Sequence, residues 1–225
     1  MRLWKNDDFF SLEGCPCPEA LAKVQYPWEV LAQIEDLICE LVHKNPGKFR
    51  QISPGVWIGS NTKVADTARF LGPAVFGEDC EIRPNALVRG NVVAGNKVLV
   101  GNASEVKQAI LFDQVQLPHF NYVGDSVLGC GVHFGAGAIM SNVKSIKATV
   151  KVKVDREVID TGLRKFGAIL GDEVEVGCNA VLNPGTLVGA HSIIYPLSSV
   201  RGSIPPRMIY KGKGDLVPFQ GHGLE

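Results

Sequence analysis

No stretch of this chain is apolar for the roughly 18 residues that a membrane helix requires. The opening MRLWKNDDFF carries no apolar core of a secretory leader either. An excess of charge is missing too: Lys+Arg 23 balance Asp+Glu 23, whereas a binder of phosphate backbones needs a basic surplus. These absences predict a chain without nucleic-acid or membrane partners that stays in the cytoplasm. Metal-ligand spacing is equally scarce. Cys15 and Cys17 sit close together, but no second pair or nearby histidine completes a four-ligand set. Cys39, Cys80, Cys130 and Cys178 stand singly among apolar residues and are read as small buried hydrophobes. No metal is expected.

What the chain does have is a repeat. An apolar residue recurs at every sixth position through Ile58, Val64, Phe70, Phe76, Ile82, Val88, Ala94, Val100, Val106 and Phe112. The same step returns in Leu170, Val176, Leu182, Val188, Ile194 and Val200, often followed directly by glycine. A helix of 3.6 residues per turn would carry such positions around its cylinder, so a helix is excluded. A short strand and a bend every six residues fits, with the apolar side chain pointing inward. Three hexads then close one triangular coil of 18 residues, and coils stack as parallel strands. Residues 56–140 and 168–203 supply roughly seven such coils.

Two segments interrupt the repeat. Near Pro27–His43, Val30, Leu31, Ile34, Leu37, Ile38, Leu41 and Val42 form one helical stripe, expected to cap the open end of the coil. Residues 143–166 hold alternating Thr149–Val154, a turn at Asp155–Arg156, and the return Glu157–Ile159: a protruding hairpin. This arm carries seven Lys/Arg against three acids. Either a phosphorylated ligand or solvent can be its counterpart. The organisation read from sequence is therefore a helical segment over 1–50, the coil over 51–205 with 143–166 inserted, and a tail over 206–225.

Two features carry candidate chemistry. Arg89 and Lys107 each follow an inward valine and lie 18 residues apart, one coil, so they stack on one wall about 4.8 Å apart. Like charges so placed need an anion, either Glu105 or a ligand phosphate. Downstream, His119-Phe120-Asn121-Tyr122-Val123-Gly124-Asp125 breaks the hexads and is followed by His133-Phe134-Gly135-Ala136-Gly137 and Asn142. Imidazole titrates near neutral pH and suits a general base. The Gly135–Gly137 backbone N–H groups suit a developing oxyanion.

These motifs resemble the acetyltransferase half of bifunctional N-acetylglucosamine-1-phosphate uridyltransferases. They are closer still to the C-terminal half of archaeal-type bifunctional sugar-1-phosphate nucleotidylyltransferases. That likeness includes the hairpin, the Asp160-Thr161-Gly162 to Gly167 stretch and the turn Asn183-Pro184-Gly185. It covers about residues 56–205 and is ungapped from Arg89 to Asn142. It implies an all-β, left-handed parallel β-helix of hexapeptide repeats and a homotrimer with its acetyl-CoA site between subunits. It also implies an acetyl-CoA-dependent N-acetyltransferase acting on a hexosamine 1-phosphate. By resemblance, Arg89 and Lys107 bind the sugar phosphate and His119 is the catalytic base. Tyr122, His133 and Asn142 bind the amino sugar, while Ala136, Gly137, Cys178 and Pro196 contact acetyl-CoA. The chain departs from that pattern at His133 (an Asn there), Val143 (a Tyr) and Cys178 (a Ser). The nucleotidyltransferase domain of those relatives is not expected within these residues, since 1–55 are too short to hold it. Carbonic anhydrases of this repeat class bind zinc through two histidines five residues apart plus a third. No pair among His43, His119, His133, His191 and His222 has that spacing. The alternative left open is a non-catalytic scaffold, or a sugar-phosphate-binding partner of a nucleotidyltransferase.

Overall fold

The computed structural model describes residues 8–154 and 157–219; the expected turn at Asp155–Arg156 and His222 lie outside the described residues. The repeat forms a left-handed parallel β-helix of about eight turns. Its three flat walls follow from strand pairing. Wall 1 stacks Val56–Ile58, Ala74–Phe76, Val92–Ala94 and their successors up to Ser203–Ile204. Wall 2 runs from Arg69–Phe70 through Leu87–Val88 to Ser199–Val200, and wall 3 from Lys63–Val64 to Met208–Gly212. The apolar series faces inward as expected: Ile58, Phe76, Ile82, Val88, Val100 and Val106 are at most 2% exposed in one core. Met208–Gly212 pairs with Ile193–Ile194 and adds a strand to wall 3, so the coil extends into the segment read as a tail.

The period changes at one corner. Val106 pairs with Val88 at a spacing of 18, but Leu111 pairs with Ala94 at 17, because Gln108 alone turns the corner that Gly90-Asn91 turn one coil earlier. Leu111 therefore points inward and Phe112 outward, which corrects the reading of Phe112 as a core position. The spacing of 17 continues through Leu117, Val123, Leu128 and Phe134, because Asp125 alone turns the same corner in the next coil.

Glycine beside the inward residue answers a steric demand. Gly77 lacks a left-handed φ, but a Cβ there would fall 2.6 Å from the Gly95 carbonyl oxygen of the next coil. The left-handed corner conformation falls two residues later, at Asn61, Asp79 and Lys97.

The N-terminal segment forms a helix Pro18–Lys23, a 3-10 turn Pro27–Gln33 and a helix Ile34–Lys44. It does not cap the coil's end, as expected from sequence; it lies along wall 1. The outward residues of that wall, Val75, Val93, Ile110, Val127, Ile169 and Leu187, are apolar and at most 1% exposed beneath Trp28, Val30, Leu31, Ile34 and Ile38. A wall apolar on both faces must be covered. The hairpin Lys151–Val154 with Glu157–Asp160 forms in the expected register, Lys151 opposite Asp160. Its first strand does not stand off the body: Val150, Val152 and Val154 are buried in the same outer cluster. Only Lys151, Lys153 and the second strand's Val158 and Asp160 face solvent.

Cys17 and Cys80 are buried, whereas Cys39 and Cys178 are exposed and Cys130 is half-buried, which corrects the expectation that the single cysteines fill the core. Cys39 sits on the outer face of its helix, and Cys178 at a corner, where side chains point away from the coil axis. The Cys17 N–H donates to Cys15 Sγ at 3.4 Å. Contact with Cys17, then burial, raises the Cys15 thiol above its ordinary range. Among the described residues, no three His, Cys, Asp or Glu side chains gather as a metal cage. No helix among them is long and apolar enough to cross a membrane.

Candidate functional site

The edge where wall 3 turns into wall 2 gathers residues that sequence alone only scattered. Leu117 pairs with Val100, Phe134 with Val176, and the Gly137 N–H donates to the His119 carbonyl at 3.1 Å. Counting two residues on from each inward position places Asn102, His119, Ala136, Cys178 and Pro196 in one column of successive coils. The next residue in each coil, Ala103, Phe120, Gly137, Asn179 and Leu197, has a left-handed φ of 52–73°. The corner thus turns identically five times. His119 is exposed, and its imidazole makes no hydrogen bond to another described residue. Its backbone is held instead: the N–H donates to Asn121 Oδ1 at 3.0 Å, while Asn121 Nδ2 donates to the Gly135 carbonyl at 2.8 Å. Asn121 is 2% exposed and buttresses the bend behind proline.

The expected oxyanion donors are narrowed. Gly135 N–H donates to the Val176 carbonyl at 2.7 Å and Gly137 N–H to His119, so both serve the coil ladder. Of that run, Ala136 N–H alone carries no coil bond among the described residues.

Three residues beyond His119, wall 2 carries a compact polar cluster. Arg89 and Lys107 stack one coil apart, as the spacing predicts, each directly after its member of the Val88–Val106 pair. Their mutual repulsion is answered within the chain. Glu105 Oε1, sealed from solvent, lies 3.2 Å from Arg89 Nε, though out of line for a hydrogen bond. Lys107 Nζ donates to Asp125 Oδ2 at 2.8 Å, and both side chains are nearly buried. Asn142 Nδ2 donates to the same carboxylate oxygen. Gly124 supplies the space: a Cβ there would fall 2.8 Å from Tyr122 Oη and 2.9 Å from Asn142 Nδ2. Burial pushes the Tyr122 phenol above its ordinary range; Lys107 pulls it down, and Glu105 and Asp125 push it up. Arg89, Lys107, Tyr122 and Asn142 therefore share one wall. Sequence reasoning missed Asp125, although it closes the quoted motif. Its role depends on Lys107 and Asn142 approaching from the coils on either side.

His133 stands apart from that cluster. It lies on wall 3, in register with Glu175, and its Nδ1 is 2.7 Å from Glu175 Oε2. Gly177 presses on the next coil as well, since a Cβ there would run into the Pro196 backbone nitrogen. Close stacking without side chains leaves a smooth edge from Ala136 to Pro196, lined by half-exposed Tyr195 and by Leu197, 80% exposed.

A coil of hexapeptide repeats with a histidine at one corner and a cation–carboxylate cluster on the adjoining wall defines the class as a left-handed β-helix of the acyltransferase type. Within it, the chain belongs to the family described as GMPPB C-terminal domain, which matches residues 70–194. A bifunctional sugar-1-phosphate nucleotidylyltransferase/acetyltransferase of Sulfurisphaera tokodaii is 33% identical over 151 residues, 59% of this chain and 38% of that protein. A bifunctional protein GlmU of Methanococcus maripaludis is 32% identical over 189 residues, 76% of this chain and 42% of that protein. The chain thus spans less than half the length of these relatives. Among solved structures, an N-acyltransferase AntD of Bacillus cereus with dTDP and coenzyme A aligns over 73% of this chain and 84% of that one. Its TM-score is 0.43 at 15% identity.

Proposed function

We propose that the chain transfers an acetyl group from acetyl-CoA to the amine of a hexosamine 1-phosphate. The observation that carries this reading is the adjacency of two constellations. The column His119–Ala136–Cys178–Pro196 offers an edge for an extended thioester, and the cluster of Arg89, Lys107, Tyr122 and Asn142 begins three residues from its base. The nucleotidylyltransferase/acetyltransferase description of the relative from Sulfurisphaera supports the same chemistry.

In this mechanism the amine nitrogen attacks the thioester carbonyl carbon while His119 takes the nitrogen's proton. The C=O electron pair moves onto oxygen, which faces Ala136 N–H. Collapse re-forms the carbonyl and breaks the C–S bond. The thiolate leaves with the proton from His119 as free coenzyme A. Arg89, about half exposed, meets the phosphate with Lys107 behind it. Acetyl-CoA contacts are assigned to Ala136, Gly137, Cys178 and Pro196. His133, tied to Glu175 on wall 3, contacts an amino sugar only if a second subunit brings that sugar to it.

We further assign a homotrimer in the cytoplasm. Wall 1 is covered by the chain's own helices, so contact between copies falls to walls 2 and 3, where Phe120, Ile139, Tyr195 and Leu197 are exposed. A second reading, a sugar-phosphate-binding scaffold without catalysis, draws on the ion pairs that already satisfy both cations. The deciding experiment is thiol release from acetyl-CoA with glucosamine 1-phosphate and galactosamine 1-phosphate. Release above the acceptor-free rate supports the transferase; silence across a panel of amino-sugar phosphates favours the scaffold.

A further inference from the structure

One corner of the coil, between walls 2 and 1, is built as a ladder of polar side chains. Asn91 Nδ2 donates to Gln108 Oε1 at 2.9 Å, and Gln108 Nε2 donates to the Leu31 carbonyl of the N-terminal segment at 2.6 Å. One coil on, Asp125 stands opposite Gln108, since Lys107 pairs with Gly124 and Ala109 with Ser126. The following rung is Asn142, bound to Asp125. Asn91, Gln108 and Asp125 share a left-handed φ of 52°, 45° and 52°. Three rungs are neutral amides and one is a carboxylate.

A structural ladder needs no charge at that rung, because an asparagine there could accept and donate as its neighbours do. A carboxylate that is 7% exposed is costly unless it is paired. Its partner is Lys107, itself nearly buried, and both Lys107 and Asn142 donate to the single oxygen Oδ2. An ammonium has three N–H donors and a side-chain amide two. Lys107 therefore keeps two donors and Asn142 one, and Asn142 Nδ2 borders the space left bare by Gly124 beside Tyr122 Oη.

We propose that Asp125 is a positioning residue of the amino-sugar phosphate site: its carboxylate locks Lys107 and Asn142 together, so that phosphate and sugar are gripped as one unit. This rests on the acetyltransferase reading above. Asp125 acts through its two partners and does not touch the reacting atoms. The charged groups facing it are Lys107 from the coil before and, further along wall 2, Arg89 and Glu105.

The test is steady-state kinetics with a hexosamine 1-phosphate and acetyl-CoA on Asp125→Asn, Lys107→Met and the double variant. Losing a charge-assisted bond that orients two donors should raise the KM for the amino-sugar phosphate by about tenfold to a hundredfold. The KM for acetyl-CoA should stay within about twofold, as independent sites do. In the Lys107→Met background, Asp125→Asn should move the amino-sugar KM by less than about threefold, because residues acting as a unit are not additive. Full additivity, or an unchanged amino-sugar KM alongside a lowered melting temperature, would overturn the proposal and leave Asp125 purely structural. If Asp125→Asn does not fold, Asp125→Glu keeps the charge, moves the oxygen, and is read in the same way. Wild-type protein that releases no thiol with any amino-sugar phosphate overturns the transferase reading itself, and this inference with it.

Discussion

The ring of Phe112 lies 4.8 Å from that of Phe10, on the outside of the coil. One residue fewer at the Gln108 corner turns Phe112 away from the axis and makes it an anchor for the N-terminal segment. Phe112 is fully buried there. Truncating a buried phenylalanine costs about 3–5 kcal/mol. Phe112→Ala should therefore lower the melting temperature and speed limited proteolysis within residues 8–50 before the coil unfolds. Cleavage of that segment at the wild-type rate would show that the anchor lies elsewhere.

His119 is exposed and its backbone is fixed by Asn121, so its imidazole can be removed without disturbing the coil. Turnover by His119→Ala should fall by roughly two to four orders of magnitude, the usual contribution of a positioned base, with thermal stability retained. Near-normal turnover would move the base elsewhere, and His133 would be examined next.

Arg89 meets solvent with about half its side chain, while Glu105 partly neutralises it. Arg89→Ala should weaken a hexosamine 1-phosphate by about tenfold to a hundredfold, the worth of a charge-assisted contact, and leave acetyl-CoA affinity alone. Calorimetric titration of both proteins reads this directly. Equal affinities for the sugar phosphate would reduce Arg89 and Glu105 to a surface ion pair.

Exposed Cys39 and Cys178 should be the first thiols alkylated by iodoacetamide, whereas burial pushes the Cys80 thiol up to about 11 and slows it. Acetyl-CoA should protect Cys178 and not Cys39. Mass spectrometry of the labelled peptides gives the answer, and equal protection of both would remove Cys178 from the thioester edge.

Light scattering at micromolar concentration should report three copies of the chain. With wall 1 occupied, substituting Leu197, the most exposed large apolar residue on the candidate edge, by Lys should shift the assembly toward monomer. A wild-type monomer would defeat both the trimer and a site shared between subunits.

The sequence by itself determined the coil, because a six-residue apolar period has one packing solution and each hexad carries its inward residue regardless of distant partners. It also determined that Arg89 and Lys107 stack, since one whole coil separates them. Their counter-ions were only half legible: Glu105 is a neighbour in the same repeat, whereas Asp125 follows Lys107 by one nominal coil of 18 residues but sits in the motif where the hexads break. The shortening of the register to 17 at the Gln108 corner is invisible to a fixed period, which is why Phe112 reads as core in sequence and lies outside in the structure. The column His119–Ala136–Cys178–Pro196 likewise exists only once the inserted hairpin is folded aside and residues 140 and 168 rejoin the coil. The placement of the helical stripe along wall 1 was decided by that wall's outward residues. Burial of a stripe is demanded by its own pattern, but the surface that buries it belongs to another part of the chain.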